Sequence, residues 1–538
     1  MRENNAMRKV FAREGLLYDR EELLEALGYC ADSERDRMAF QRFLGMLKRK
    51  RLLKTRRKKG SREASEDDAS LIAEDGIDYE DYVGVEKQGT QYLFRFVGMV
   101  FHDDRVVNVY PKYIEDTDEL DSKMKQVMHV IRKHQGKMYQ LDVPKLLEAA
   151  ERGEEINMLS VILFLVDDYS QNRLYYEDER ITECNGENEI AWGKTVEMLD
   201  PIFVQGRPVY VDTFTTRRKD NQGNYFVRLH RLILTLAFQE LEEIGLSELF
   251  SLPVIALSDE EIDDFGSSDY IREMIDREIR VQFDDRKLSV LRGMDLYIAK
   301  KAGRCRKHMQ AGEEGVSFFG TRAFHNVWED VINEVYGSQR DKTFADIQAN
   351  YFGRLDYAIS LPNGSCANIE GAHILSKAIE KPEWHLSNPS GSSEEGIYLP
   401  DKTFLPDYLK FSERDGTFYI MDAKYYVPRW HITEGGEKRI EKQPGVEDVV
   451  KQYMYYLAYR PLLEHNSIDV SHVKNFYIMP TEGEDKDVGY ARLGFFAELL
   501  PDVFDIRVKM INAEKVFSHY LQGDKLDVAS MPSGSKSV

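Results

Sequence analysis

The chain has 538 residues, 42% hydrophobic and 31% charged, with a formal net charge of -21. That length exceeds one core and suits about two to four domains. No apolar run approaches the roughly eighteen residues a membrane span needs, and acids interrupt every apolar run at the N-terminus, where a secretory signal would keep an uncharged core. The expectation is a cytoplasmic multidomain protein that does not use a membrane.

Four cysteines, Cys30, Cys184, Cys305 and Cys366, stand without CxxC spacing, and twelve histidines form no HExxH pair. A zinc site or disulfide framework is not supported, so any metal would sit on carboxylates. The acidic total argues against a nucleic-acid partner, but charge is unevenly distributed. Leu47–Arg62 (LKRKRLLKTRRKKGSR) is strongly basic, while acids gather in stretches such as Ser258–Asp269.

In chain order, residues 1–60 read as a helical module. REELLEALGY is followed by DRMAFQRFLGMLKRKRLLK, in which Met38, Phe40, Phe43, Leu44 and Leu47 recur near helical spacing. Two short helices before basic residues suit a winged-helix or helix-turn-helix unit, and equally a helical protein-interaction module. Residues 61–81 read as a polar linker. Residues 82–311 form a central α+β region that opens with alternating strands around His102-Asp103-Asp104. Its later segments include helical KMKQVMHVIRKHQGK and VPKLLEAAERGE, and Met158–Tyr169, which periodicity leaves open between helix and strand. Tyr225–Leu246 reads as a long amphipathic helix.

Residues 312–522 begin with the helix RAFHNVWEDVINEVYG, where Phe324, Val327, Val331 and Val335 share a face. Strands and helices then alternate in an order that suggests a mixed sheet flanked by helices, an α/β arrangement within an α+β multidomain chain. Residues 523–538 read as a disordered tail.

The chemistry-bearing stretch is FLPDYLKFSERDGTFYIMDAKYY, Phe404–Tyr426. Asp415-Gly416 between alternating runs signals a hairpin. With those two residues as the loop, Asp407 faces Lys424 and Leu409 faces Asp422. Asp407, Asp422 and Lys424 then share one sheet face, the carboxylates as diagonal neighbours at about 7 to 8 Å. Two carboxylates at that range bracket a hard divalent cation such as magnesium, which keeps several waters and accepts substrate phosphate. A nearby ammonium can orient water or stabilise the pentavalent oxyanion of phosphodiester hydrolysis. Acid-x-lysine triplets also occur at Asp121-Ser122-Lys123, Asp285-Arg286-Lys287 and Glu484-Asp485-Lys486, so the triplet carries weight only through its strand and hairpin context. The alternative is a solvated hairpin with a surface ion pair. On the following helix, Gln452 and Tyr456 lie four apart on one face with Asp448 above them, and Glu329 on the earlier helix is a further acid that could point into the site.

These residues resemble a PD-(D/E)XK nuclease core: Pro406-Asp407, then Asp422-Ala423-Lys424, then Gln452-x-x-x-Tyr456, with Glu329 on the acid-bearing first helix. FVGMVFHDDRVVNVYPKY, NGENEIAWGKTVE and LHRLILTLAF are similar to LlaJI-type restriction endonucleases, relatives of McrC, over roughly residues 82–490. The resemblance implies a magnesium-dependent endonuclease acting on double-stranded DNA, with Asp407 and Asp422 binding Mg2+ and Lys424 serving catalysis. Glu329 and Gln452 would support the site, and Tyr456 would support it or contact DNA. It also implies a separate McrB-like AAA+ GTPase or ATPase, because the chain has no GxxxxGK[ST] of its own, and leaves oligomerisation open. Two other readings stand beside it: a non-catalytic DNA-binding adaptor that stimulates the motor, and a DNA-binding regulator built on Met1–Arg62. The basic N-terminal segment has no place in the family pattern.

Overall fold

A computed structural model describes residues 8–532, apart from 58–89, 152–157, 302–316, most of 349–403 and several shorter stretches. The expected linker, Cys305 and the Gly/Ser-rich stretch at 387–396 lie outside the described residues. The fold is mixed α+β and divides into two compact units. One comprises residues 1–7, 101–104 and 135–319, and the other 8–100, 105–134 and 320–538. The units draw on interleaved segments, whereas the sequence suggested consecutive domains.

The first unit is mainly helical. Met158–Asn172 is a helix, which settles the ambiguity of that apolar run, and it is joined by Tyr225–Glu243, Ser268–Val281 and Asp285–Lys301. Arg286 grips Asp168 through two parallel bonds of 3.0 and 2.8 Å, the fork geometry that suits guanidinium and carboxylate. His230 is a core histidine: its Nδ1 accepts the Tyr175 N–H, and burial pushes its pKa down to about 4. A three-stranded antiparallel sheet places Phe214–Asp220 between Asp178–Cys184 and Glu189–Ile190.

The second unit begins with β1 (Arg8–Arg13), a strand the helical reading of the N-terminus did not anticipate. It is followed by α1 (Arg20–Ala26) and α2 (Glu34–Arg49), capped by Asp19 and Ser33. The basic run crosses the end of α2 into β2 (Leu53–Arg57), which pairs with β3 (Thr90–Phe94). The alternating segment becomes β4 (Val97–His102) and β5 (Arg105–Tyr110), with β1 beside β5 in parallel. Helix α3 (Leu120–Glu151) follows.

The second unit also holds a five-stranded mixed sheet, ordered β6 (Tyr408–Phe411), β7 (Phe418–Ala423), β8 (Val473–Thr481), β10 (Ile506–Asn512) and β9 (Lys486–Ala491). Strands β7, β8 and β10 run parallel, and the edges are antiparallel. β7 is buried at every position, as expected for a central strand covered on both faces. Helix α4 (Phe324–Val335) covers the sheet, its Trp328 indole N–H donating to the Ile478 carbonyl at 3.2 Å. Helix α5 (Val446–His465) connects β7 to β8, and α6 (Ala513–Gln522) packs near α4 through Phe517, which meets Trp328 and Phe324 edge-on.

The tail expected to be disordered from residue 523 is ordered to Pro532. Leu526 donates to the Val335 carbonyl, Lys509 Nζ to the Pro532 carbonyl, and Val528 and Met531 are buried. Two apolar anchors in a polar segment were enough to order it.

Candidate active site

The hairpin forms, but in a register two residues from the one that a two-residue loop dictates. Tyr408 faces Met421, Leu409 faces Ile420 and Phe411 faces Phe418. Ser412 N–H donates to the Thr417 carbonyl, so the connection holds four residues, 413–416, with Gly416 at φ 67. Continuing that register puts Asp407 opposite Asp422 instead of Lys424. A two-residue slip leaves every side chain on its original face, so the acids still converge and stand closer than the diagonal arrangement.

Asp407 sits at the bend that opens β6, where its Oδ2 accepts the Ala423 N–H at 3.2 Å. Asp422 is buried on β7, and its Oδ1 has no hydrogen-bond partner among the described residues. Lys424 extends the ladder past β7, donating its N–H to the Ile478 carbonyl. Its Nζ lies 3.1 Å from Asp422 Oδ2 and 3.0 Å from Asp448 Oδ1, at the start of α5. The ammonium is thus clamped between a strand acid and a helix acid.

The electrostatics follow from this crowding. Burial, a hydrogen bond to the Asp422 carboxyl and the charges of Asp422 and Glu329 push Asp407 up to about 10. Burial pulls Lys424 toward neutrality, but Asp422 and Asp448 outweigh it and hold the ammonium above the usual lysine range. Burial raises Glu329, as does Asp422, against the opposing pull of Arg340.

Glu329 takes a different place from the acid pair. It faces Arg340, whose Nη1 donates to Glu329 Oε1 at 3.3 Å and to the Asp407 carbonyl at 3.1 Å. Arg340 is positioned by the segment after α4, which docks on β6: Gln339 N–H donates to the Leu409 carbonyl and its side chain accepts the Phe411 N–H. Gln452 lies one turn beyond Asp448, fully buried, with neither amide atom hydrogen-bonded among the described residues. Tyr456, a further turn along, packs in the core formed with Leu409 and Ile420.

Sequence reasoning passed over Arg340, Tyr455 and Tyr477. Asp422 and Tyr477 are neighbours in register across β7 and β8, and Tyr455 donates to the Leu405 carbonyl. Burial chiefly, with the charge of Asp422, raises both phenols. No local motif marks these residues; their spacing from the triad becomes meaningful only once the sheet is assembled.

Among the described residues no group of three or more His, Cys, Asp or Glu side chains forms a metal cage. The paired carboxylates nevertheless suit a cation that brings its own waters: Asp422 Oδ1 is buried with no partner among the described residues, and burial chiefly, with the Asp422 carboxyl beside it, disfavours the charged form of Asp407.

Residues 96–349 and 365–513 match the LlaJI restriction endonuclease family, to which the chain therefore belongs; the matched segments contain every residue of the site. Component YdjA of the type II restriction enzyme BsuMI from Bacillus subtilis (strain 168) is 24% identical over 465 residues, 84% of each chain. Two solved assemblies from Thermococcus gammatolerans are also similar. A half-complex of McrB AAA+ hexamers with bound McrC matches at a TM-score of 0.30 and 12% identity, over 96% of this chain and 99% of that one. The McrBC complex matches at a TM-score of 0.22 and 13% identity, over 60% and 86%.

No described helix is long and apolar enough to cross a membrane.

Proposed function

We propose that the chain is the DNA-cleaving subunit of a restriction or phage-defence system, a magnesium-dependent endodeoxyribonuclease worked by a separate AAA+ GTPase or ATPase. The observation that carries this reading is geometric: Asp407 and Asp422 face each other across β6 and β7, beside the Lys424 ammonium held 3.1 Å from Asp422 and 3.0 Å from Asp448. Asp407 and Asp422 would hold Mg2+, which when bound neutralises phosphate charge and acidifies water. To hold the cation, Asp407 would have to be ionised. Lys424, fixed by two carboxylates, points a charged donor at the oxygen that gains charge as water adds to phosphorus and the bridging P–O bond breaks. Arg340 holds the Asp407 backbone and links it to Glu329. The AAA+ partner rests on the family resemblance and on the missing phosphate-binding loop.

The test is cleavage of plasmid and phage DNA by the purified chain with its AAA+ partner, Mg2+ and GTP or ATP. Asp422→Ala and Lys424→Ala are expected to lose about 10²–10³-fold or more in rate, with folding checked by circular dichroism. Unchanged cutting by both variants would remove this site, and a DNA-binding adaptor would become the better reading.

A further inference from the structure

Between Lys424 and helix α5 the chain extends a two-stranded antiparallel ribbon, Arg429–Ile432 paired with Lys438–Glu441, whose eight strand residues are all exposed. It begins five residues after Lys424 and ends five residues before α5, which carries Asp448. Both its roots are therefore fixed by the elements that build the active site.

Register divides the ribbon into two faces. Trp430 faces Ile440 and Ile432 faces Lys438, so one face is apolar apart from Lys438, with Trp430 54% exposed, Ile432 68% and Ile440 40%. Arg429 faces Glu441 and His431 faces Arg439, so the other carries two arginines, a histidine and one glutamate, with Glu441 3.6 Å from His431 and Glu437 3.0 Å from Arg439. At the root, Lys442 lies near Arg13; burial first, then the Arg13 charge, pulls Lys442 below the usual lysine range. In a chain of net charge -21, Arg429, Lys438, Arg439, Lys442 and Arg13 gather around one exposed element, against the two acids Glu437 and Glu441. Self-association of an apolar strip would not call for that concentration of cations, whereas phosphate would. A two-stranded ribbon also has the width of a DNA major groove.

We infer that this ribbon is the duplex-contacting arm of the site, lying in a groove of double-stranded DNA with its cations on the phosphates and Trp430 against the bases and sugars beside the scissile bond. The inference rests on the nuclease reading and adds to it where the substrate is held. Phosphate contacts would set position and carry most of the salt dependence, while the exposed indole would add contact that salt does not weaken.

The experiment uses the full chain carrying Asp422→Ala, so that binding is read without cutting, and measures fluorescence anisotropy of a labelled duplex across a salt series. Combined Arg429→Ala, Lys438→Ala and Arg439→Ala should flatten the slope of log affinity against log salt by about 2–3, since each phosphate contact contributes about 0.9. Trp430→Ala should weaken binding about tenfold with the slope unchanged. Because all four side chains are exposed, thermal midpoints should stay put. Unaltered DNA binding by both variants overturns the inference. So does loss of stimulation by the AAA+ partner with DNA binding intact, which would make the ribbon a protein contact. Neither result touches the nuclease reading, which fails separately if Asp422→Ala leaves cleavage unchanged.

Discussion

The upward shift of Asp407, driven chiefly by burial, makes a prediction specific to the acid pair. Asp407 titrates near 10 when folded, against about 4 when unfolded. The folded state binds the extra proton throughout that window, so this group's contribution to stability is greatest below pH 4 and declines as pH rises toward 10. A cation competes with that proton. Mg2+ binding near pH 7.5 should therefore release close to one proton, and its affinity should rise about tenfold per pH unit until Asp407 is ionised. Calorimetry in two buffers of different ionisation heat measures the released proton directly. Asp407→Asn should abolish both the release and the pH-dependent affinity; a wild-type protein that releases none would mean that the acids do not hold the metal. Of this centre, the identities of Asp407, Asp422 and Lys424 were legible in the sequence because strand alternation preserves the face of a side chain. Asp448 stood on the helix face that could order the lysine, but the pairing of Glu329 with Arg340 was not legible, because it depends on how α4 and the segment after it approach the sheet.

At the scale of elements, the register of β6 on β7 shows which local rule lost. Asp415-Gly416 favours a two-residue turn, yet Phe411 meets Phe418 at 4.4 Å between ring centroids, both in the core that α5 covers. Burying that pair is worth more than the turn preference, and a loop of four residues costs little extra. The end of β7 is tied down by residues from far along the chain. Tyr425 donates its hydroxyl to Glu14 at 2.5 Å, the Lys112 N–H reaches both Glu14 and the Tyr425 oxygen, and the ring packs against Phe324 at 5.0 Å. Glu14 follows β1 and Lys112 follows β5, so the ends of two parallel strands brace the residue after Lys424. Tyr425→Phe should cost about 1–3 kcal/mol, because it strips a partner from a partly buried carboxylate. In chemical denaturation the midpoint should fall with the m-value unchanged. Glu14→Gln should cost less in the Tyr425→Phe background than in wild type, giving a coupling energy of about 0.5–3 kcal/mol. Additive effects would show that the bond contributes nothing.

At the scale of the molecule, helix and strand character was readable wherever periodicity was strong, as at Tyr225–Glu243, Phe324–Val335 and Val446–His465. The division into units was not, since residues 8–100 and 105–134 cluster with 320–538 through contacts that no linear reading ranks. The same reasoning bears on whether the chain drives itself. Gly193-Lys194-Thr195 reads like the end of a phosphate-binding loop, but Asn188 stands where the first glycine would be. The structure removes the remaining ambiguity about this triplet. It lies within the short helix Trp192–Met198, where Lys194 Nζ is 5.2 Å from the Phe214 ring centroid, and the buried Thr195 hydroxyl accepts the Phe214 N–H at 2.9 Å. A P-loop threonine needs that oxygen for Mg2+ and the lysine for phosphate. The purified chain alone should therefore hydrolyse neither GTP nor ATP above background. Lys194→Ala should leave nucleotide turnover by the chain and its AAA+ partner unchanged, whereas the equivalent change in the partner's own phosphate-binding loop should stop both turnover and DNA cleavage. Phosphate-release assays on the isolated chain, the partner and the mixture decide the point, and turnover by the isolated chain that Lys194→Ala abolishes would place the motor here instead.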